Sequence, residues 1–215
     1  MNMRSRTRSK AQPLRERMKE EARSAILDAA EQVLTEQGLH AARMDDIAAR
    51  VGVSVGTLYN YFEDRQQLLL ALLEGRGREL LAMLDAELER SQGATYHERL
   101  RGFLRRVLEH SRRHFQLFTL LLESGAQHGT SRQEDLKRHR EMWHEISRRL
   151  EHLNQEGITQ GALRPGDARH YPPLLLGMLQ SLLFGQFVAG QPEPVEELIS
   201  MLMRCFLEGA APRPA

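Results

Sequence analysis

The chain has 215 residues and a mass of 24.7 kDa, enough to bury a core without disulfides or a structural metal. Hydrophobic residues at 41%, charged at 27% and aromatic at 6% fit a globular, helix-rich chain better than a disordered one or a β-sandwich. Thirty basic residues against twenty-nine acidic ones leave a net charge of +1, so bulk charge points to no partner. The single cysteine, Cys205, excludes an intramolecular disulfide framework and any cysteine-built zinc site, and implies a reducing compartment, the cytoplasm.

Residues 1–19 are polar and basic, with Arg4, Arg6, Arg8 and Lys10 followed by charge rather than an apolar run. They read as a flexible arm and not as a secretory signal. Residues 20–69 read as one domain. Ala22, Ile26, Ala29, Ala30, Val33 and Leu34 recur at helical spacing until Gly38 supplies the stop. A second helix is predicted from Met44 to Val51, with Asp45 and Asp46 at its positive end and Gly52 closing it. Ser54 then has the character of an N-cap for a very short helix, Val55 to Tyr61, whose Leu58 and Phe62 face inward. Asp64 and Gln67 have capping-box spacing and open a long leucine-rich helix from Arg65 to Arg90, about 40 Å at 1.5 Å per residue, interrupted by Gly75 and Gly77.

Residues 70–215 form a second, wholly helical region. Leu100, Phe103, Leu104, Val107 and Leu108 define one amphipathic helix. Phe115, Phe118, Leu121 and Leu122 define a short one ending at Gly125. Leu136, Trp143, Ile146, Leu150 and Leu153 define another, closed by Gly157, before a turn-rich stretch around Pro165. The uncharged run Pro172 to Gly190 nearly has the length of a membrane span. Its internal Gln180, Ser181 and Gln186, and the lack of a basic flank, favour buried core or a subunit interface. The last helix, about 195–208, carries Val195, Leu198, Ile199, Leu202 and Phe206 on one face, with Cys205 expected in the core. With no strand-period run, the fold class is all-α with about nine helices.

The segment from Met44 to Phe62 has the grammar of a helix-turn-helix: an apolar positioning helix, a tight glycine turn, and a capped helix too short to persist alone. The second helix of such a unit enters the major groove, where Gly56 and Thr57 permit close approach while Tyr59, Asn60 and Tyr61 offer contacts. Arg15, Arg17, Lys19 and Arg23 are candidates for added phosphate contacts. The segment Asp46-Ile-Ala through Gly52-Val-Ser-Val-Gly-Thr-Leu-Tyr-Asn-Tyr-Phe62 resembles the TetR family of bacterial transcriptional regulators, over roughly residues 22–75. The resemblance implies an N-terminal DNA-binding domain, a divergent helical domain with an effector cavity, and a homodimer built on the last two long helices, about 172–189 and 195–208. It implies a palindromic double-stranded DNA operator and a regulator, most simply a repressor, that is not an enzyme and needs no cofactor. Carried over by position, Ser54, Gly56, Thr57, Tyr59, Asn60 and Tyr61 would meet DNA. Arg65 stands where the family often has a phosphate-binding lysine.

Three positions depart from the family pattern. Arg43 replaces a common threonine N-cap and is free to pair with a phosphate; Val55 replaces a basic residue and offers an apolar contact, for example to a thymine methyl; Glu63 and Asp64 make the corner beside Arg65 less basic. For the effector, Phe103, Phe115, Phe118, Met142, Trp143 and Met178 on apolar helix faces suggest an apolar or aromatic ligand. Nine histidines raise a metal reading, and His110 with His114 has i, i+4 spacing. The flanking Ser111, Arg112 and Arg113, with no third ligand at a motif spacing, favour a solvated polar turn, and no metal site is predicted. The alternative to a DNA reader is a helical small-molecule-binding protein or enzyme whose N-terminal unit has lost DNA recognition. No G-x-S-x-G, P-loop or H-E-x-x-H stands behind it.

Overall fold

The computed structural model describes residues 14–115, 117, 132–189 and 193–210. Among these lie α1 (Leu14–Gln37), α2 (Met44–Val51), α3 (Val55–Tyr59), α4 (Arg65–Arg90), α5 (Tyr96–Arg113), α6 (Arg132–Thr159), a 3-10 turn (Pro165–His170), α7 (Tyr171–Ala189) and α8 (Val195–Ala210), and no strand. Phe118, Gly125 and most of the short helix expected around them fall outside the described residues. The chain divides into two compact units between Leu72 and Leu73, inside α4.

In the first unit α1 packs on α2, and α2 on α3. Ile26, Leu27, Ala29, Ala30, Val33 and Leu34 supply the buried stripe of α1. Gly38, at φ +83°, ends the helix in the left-handed region that favours glycine. The helix begins at Leu14, six residues before its expected start, so the segment read as the end of a flexible arm is helical. Arg50 of α2 bridges back to Glu36 of α1, and the contact holds the Glu36 carboxyl below its ordinary range.

In the second unit α5 packs on α6 and α8, and α7 on α6 and α8. Thr95 opens α5 with a reciprocal cap: the Glu98 N–H donates to Thr95 Oγ1 at 3.3 Å while the Thr95 N–H donates to Glu98 Oε2 at 3.0 Å. The core gathers Leu84, Leu100, Phe103, Leu104, Ile146, Leu150, Leu175 and Ile199. Polar ties run from this core out to the surface. The Tyr96 hydroxyl donates to Asn154 Oδ1 at 2.8 Å, and desolvation raises the Tyr96 pKa. Glu87 accepts from Arg90 and from Arg106, the latter at 3.2 Å, and Arg99 pairs with Glu156 and donates to the Leu88 carbonyl at 3.0 Å. Arg149 grips Asp85 with two bonds of 2.7 and 2.8 Å, which lowers the carboxyl's pKa.

Several expectations are corrected. Gly75 and Gly77 do not interrupt α4: Gly77 is where Met142 Sδ packs, 3.1 Å from the position a Cβ would take. Gly157 does not close α6, which runs on to Thr159; its missing side chain makes room for the Tyr96 ring. Gly161, at φ +73°, follows the end of the helix instead. Cys205 is exposed on the single chain, because its position on α8 falls just outside the face that buries Leu198, Ile199, Leu202, Met203 and Phe206. His110 and His114 are buried at 1% and 5% exposure, so the two imidazoles are not solvated, although Arg112 and Arg113 between them are exposed. Burial, and next the neighbouring His114, push the His110 pKa down to about 4. Among the described residues no helix is long and apolar enough to cross a membrane.

Gly157→Ala tests the Tyr96 contact, since the new Cβ would lie 2.7–2.9 Å from three ring carbons. We expect a loss of about 1–3 kcal/mol in chemical denaturation. Gly209→Ala, where a Cβ meets nothing within 4 Å, is expected to be neutral or stabilising.

Candidate nucleic-acid interface

A five-residue helix has no stability of its own, so the placement of α3 is set by its ends and its buried side. Gly52, at φ +80°, closes α2 with its N–H on the Ala48 carbonyl at 3.0 Å, and the Val53 N–H returns to the same carbonyl at 3.0 Å. Two residues later Ser54 Oγ accepts from the Thr57 N–H at 3.1 Å, and the two hydroxyls lie 2.8 Å apart. Ser54 is therefore the N-cap its sequence position suggests. Leu58 and Phe62 anchor the inner side at 0% and 1% exposure, contributing about 1.5–3 kcal/mol each.

The outer side leaves polar and aromatic groups exposed. Tyr59 is 48% exposed and Asn60 is exposed. A Cβ at Gly56 would meet only Ser54 Oγ, at 3.9 Å, so the backbone there stands open to close approach. Val55 and Thr57 are half-buried. Tyr61 differs from expectation: it is half-buried, and α3 stops at Tyr59 with Asn60 as its cap, because the Tyr61 N–H already turns back to Leu58 at 3.0 Å.

Arginines precede and follow this segment in sequence. Arg43 is exposed, and since its side chain has no acceptor, the cap of α2 runs in reverse: the Arg43 N–H donates to Asp46 Oδ2 at 3.3 Å. The Arg43 guanidinium is thus not spent on the cap. Arg65, first residue of α4, keeps Nε and Nη2 buried without a hydrogen-bond partner among the described residues. Asp64 caps that helix from the Gln67 N–H at 2.7 Å, while Gln67 Oε1 accepts from Glu63 at 2.6 Å, one residue further back than a standard capping box. Arg23 is placed otherwise than a free phosphate contact, its guanidinium lying 5.4 Å from the Phe62 ring centroid. Arg15, Arg17 and Lys19 are exposed on the first turns of α1.

The six residues expected to line an effector cavity are placed less uniformly. Phe103 is wholly buried in the core; Met142, Trp143 and Met178 are half-buried against that core, Phe115 is half-buried, and Phe118 lies outside the described residues. None of the five described residues lines either of two surface concavities formed by described residues of the second unit. One, of about 410 Å³, is walled by Asp85, Leu88, Arg99, Arg149 and His152 among others; the second, of about 370 Å³, by His152, Gln155 and Gln160 among others. Sequence reasoning missed this polar wall because Asp85, Arg99 and Arg149 come from three different helices.

Ser54→Ala removes the only side-chain acceptor that α3 has in its first turn. We expect a loss of about 0.5–2 kcal/mol in urea denaturation, largely restored by Ser54→Asp.

Comparison with known proteins agrees with this geometry at both ends of the chain. The family model described as bacterial regulatory proteins, tetR family, matches residues 26–72, and one described as the tetracyclin repressor-like C-terminal domain matches residues 93–183. The chain is 26% identical over 186 residues to the uncharacterized HTH-type transcriptional regulator YhgD of Bacillus subtilis, covering 86% of this chain and 94% of that one. It is 39% identical over 94 residues to the HTH-type transcriptional repressor KstR of Mycobacterium tuberculosis, a match that spans 41% of each. Among solved structures, the transcriptional regulator FadR of Bacillus subtilis in complex with stearoyl-CoA superposes with a TM-score of 0.71 at 20% identity, covering 86% of this chain and 98% of that one. A capped, docked short helix in a matched N-terminal unit, followed by a helical second unit matched in its own right, places this chain in the TetR family of DNA-binding transcriptional regulators.

Proposed function

We propose that the protein is a repressor that acts as a homodimer in the cytoplasm, binding an inverted-repeat operator and releasing it when a small effector with an apolar body occupies the second domain. In this reading residues 20–69 are the DNA reader and residues 70–215 bind effector and partner. The protein works by binding rather than by catalysis. The observation that carries the reading is α3, held by Ser54, Leu58 and Phe62 so that Gly56, Tyr59 and Asn60 stay exposed, with Arg43 and Arg65 as the proposed phosphate contacts. Ser54, Val55, Thr57 and Tyr61 complete the proposed contact set, Ser54 and Thr57 being partly committed to the cap.

Dimerisation is supported by α7. Pro173, Leu174, Gly177, Ser181, Phe184 and Gly185 form an exposed, uncharged stripe at helical spacing, with Leu174 at 53% and Phe184 at 59% exposure. A second copy covering that stripe would remove it from water. Two reading helices on one face of DNA must stand about 34–36 Å apart, so an effector that changes their separation weakens binding without touching DNA. Phe115, Met142, Trp143 and Met178 are the proposed wall of the effector site, with Phe103 behind them. The stearoyl-CoA in the FadR complex makes a long-chain acyl thioester the first effector to try.

Selection of bound sequences from a random duplex library should return an inverted repeat for the wild type and none for a Tyr59→Ala, Asn60→Ala double variant. Recovery of the same repeat by both would overturn the assignment of α3 as the reader. On the selected operator, Arg65→Ala should reduce the slope of log K against log salt by about 1 while leaving sequence preference intact. Leu174→Glu should halve the mass measured by light scattering; an unchanged dimer would move the interface away from α7.

A further inference from the structure

Outside the reading surface, one cluster of side chains has no part in the function described. His110 and His114 stand one turn apart at the end of α5, their ring centroids 4.6 Å apart and tilted by 51°. Glu79 of α4 faces them, half-buried, with its Oε2 at 3.9 Å from His114 Nε2. One donor atom from each of the three lies within 4.8 Å of the others. His110 is 1% exposed, and neither of its ring nitrogens has a hydrogen-bond partner among the described residues. An imidazole taken out of water with both nitrogens unmatched is an arrangement that folded proteins avoid unless something else occupies the position.

We infer that Glu79, His110 and His114 form a binding site for one divalent transition ion, with Zn²⁺ the best fit, clipping α4 to α5. Two imidazole nitrogens and a carboxylate oxygen are a donor set that suits zinc, whereas Mg²⁺ and Ca²⁺ take oxygen donors. Tetrahedral bonds of about 2.1 Å put donors about 3.4 Å apart, so a cluster spread over as much as 4.8 Å must contract by about 1.4 Å at its widest. Glu79, half-buried where both histidines are buried, is the donor placed to supply movement once its arginine contacts give way. Three protein donors leave a fourth position for water or another ligand.

Two guanidinium groups contest the carboxylate. Arg76 Nη1 lies 3.4 Å from Glu79 Oε2, and Arg113 Nη1 lies 3.6 Å from Glu79 Oε1. Both separations are longer than the 2.7–2.9 Å of a strong charged hydrogen bond, so an entering dication has weak contacts to displace. Arg113 is 60% exposed at its side chain and is the one readily removed. Nothing in the sequence announced the third ligand, because Glu79 lies 31 residues before His110 and on another helix.

The test uses the full chain, stripped with a chelator and then dialysed against Zn²⁺, with Co²⁺ as a visible-absorption probe of coordination. We expect one tightly held ion per chain, intense tetrahedral-type Co²⁺ bands, and no displacement by excess Mg²⁺. Glu79→Gln and His114→Gln should each weaken Zn²⁺ binding at least tenfold while keeping the wild-type melting temperature in chelator. Arg113→Ala should tighten it. Wild-type protein that takes up no stoichiometric Zn²⁺ would overturn the inference, as would both ligand variants binding like the wild type, the result expected if other histidines hold the ion.

Discussion

Everything the first domain does depends on the docking of a helix that cannot stand alone. Five residues form at most one turn and a half, so α3 exists because Leu58 and Phe62 are buried beneath it and Ser54 closes its free N–H groups. The same constraint decides what remains outside. With the inner positions committed, Gly56, Tyr59 and Asn60 are left exposed. The surface proposed to read DNA is the side that packing does not use. The rigidity needed to read base edges comes from the capping and the burial, not from the helix itself.

The approach to α3 is held as firmly as α3. Gly52 sits where only a positive φ lets the chain turn within two residues, and two N–H groups converge on the Ala48 carbonyl to lock that turn. Arg50 and Glu36 tie α2 to α1 at an exposed edge, a weak contact beside the burial of Ile47 and Ala48. Charge is placed where it is not consumed: Arg43 caps nothing with its side chain, and Arg65 keeps donors unmatched within the protein. Arg43 is exposed, whereas the unmatched Arg65 nitrogens are buried, so in the proposed DNA complex only Arg43 could meet a phosphate without first moving.

The second unit is built on a different balance, with ionic and polar groups drawn into the core beside the leucines. Glu87 is buried between Arg90 and Arg106, Arg99 spans Glu156 and the Leu88 carbonyl, and Tyr96 reaches Asn154. Such ties add little net stability after desolvation, but removing one partner would leave a buried charge alone. They fix which face of each helix meets its neighbour, which a core rich in leucine would specify less sharply. In the same region the His110 imidazole is held neutral by burial and faces a carboxylate across the gap between α4 and α5.

How much was legible in advance follows from the range of each interaction. The bounds of α2 and α4, the cap at Ser54 and the stops at Gly38 and Gly52 were readable because each rests on residues within about four positions of one another. Tyr61, Gly157, Cys205 and the His110–His114 pair were misjudged for the opposite reason. Helical spacing says which residues share a face, but not which second helix covers it or stops short of covering it. The ring that fills the space at Gly157 comes from Tyr96, and the carboxylate facing the histidines comes from Glu79, on helices the local pattern cannot bring together. The sequence by itself determined the helix-turn-helix, its caps and its inward residues, since these are contacts along the chain. Only the tertiary structure decided which polar groups are buried and what they face, because desolvation and pairing are set by neighbours distant in sequence.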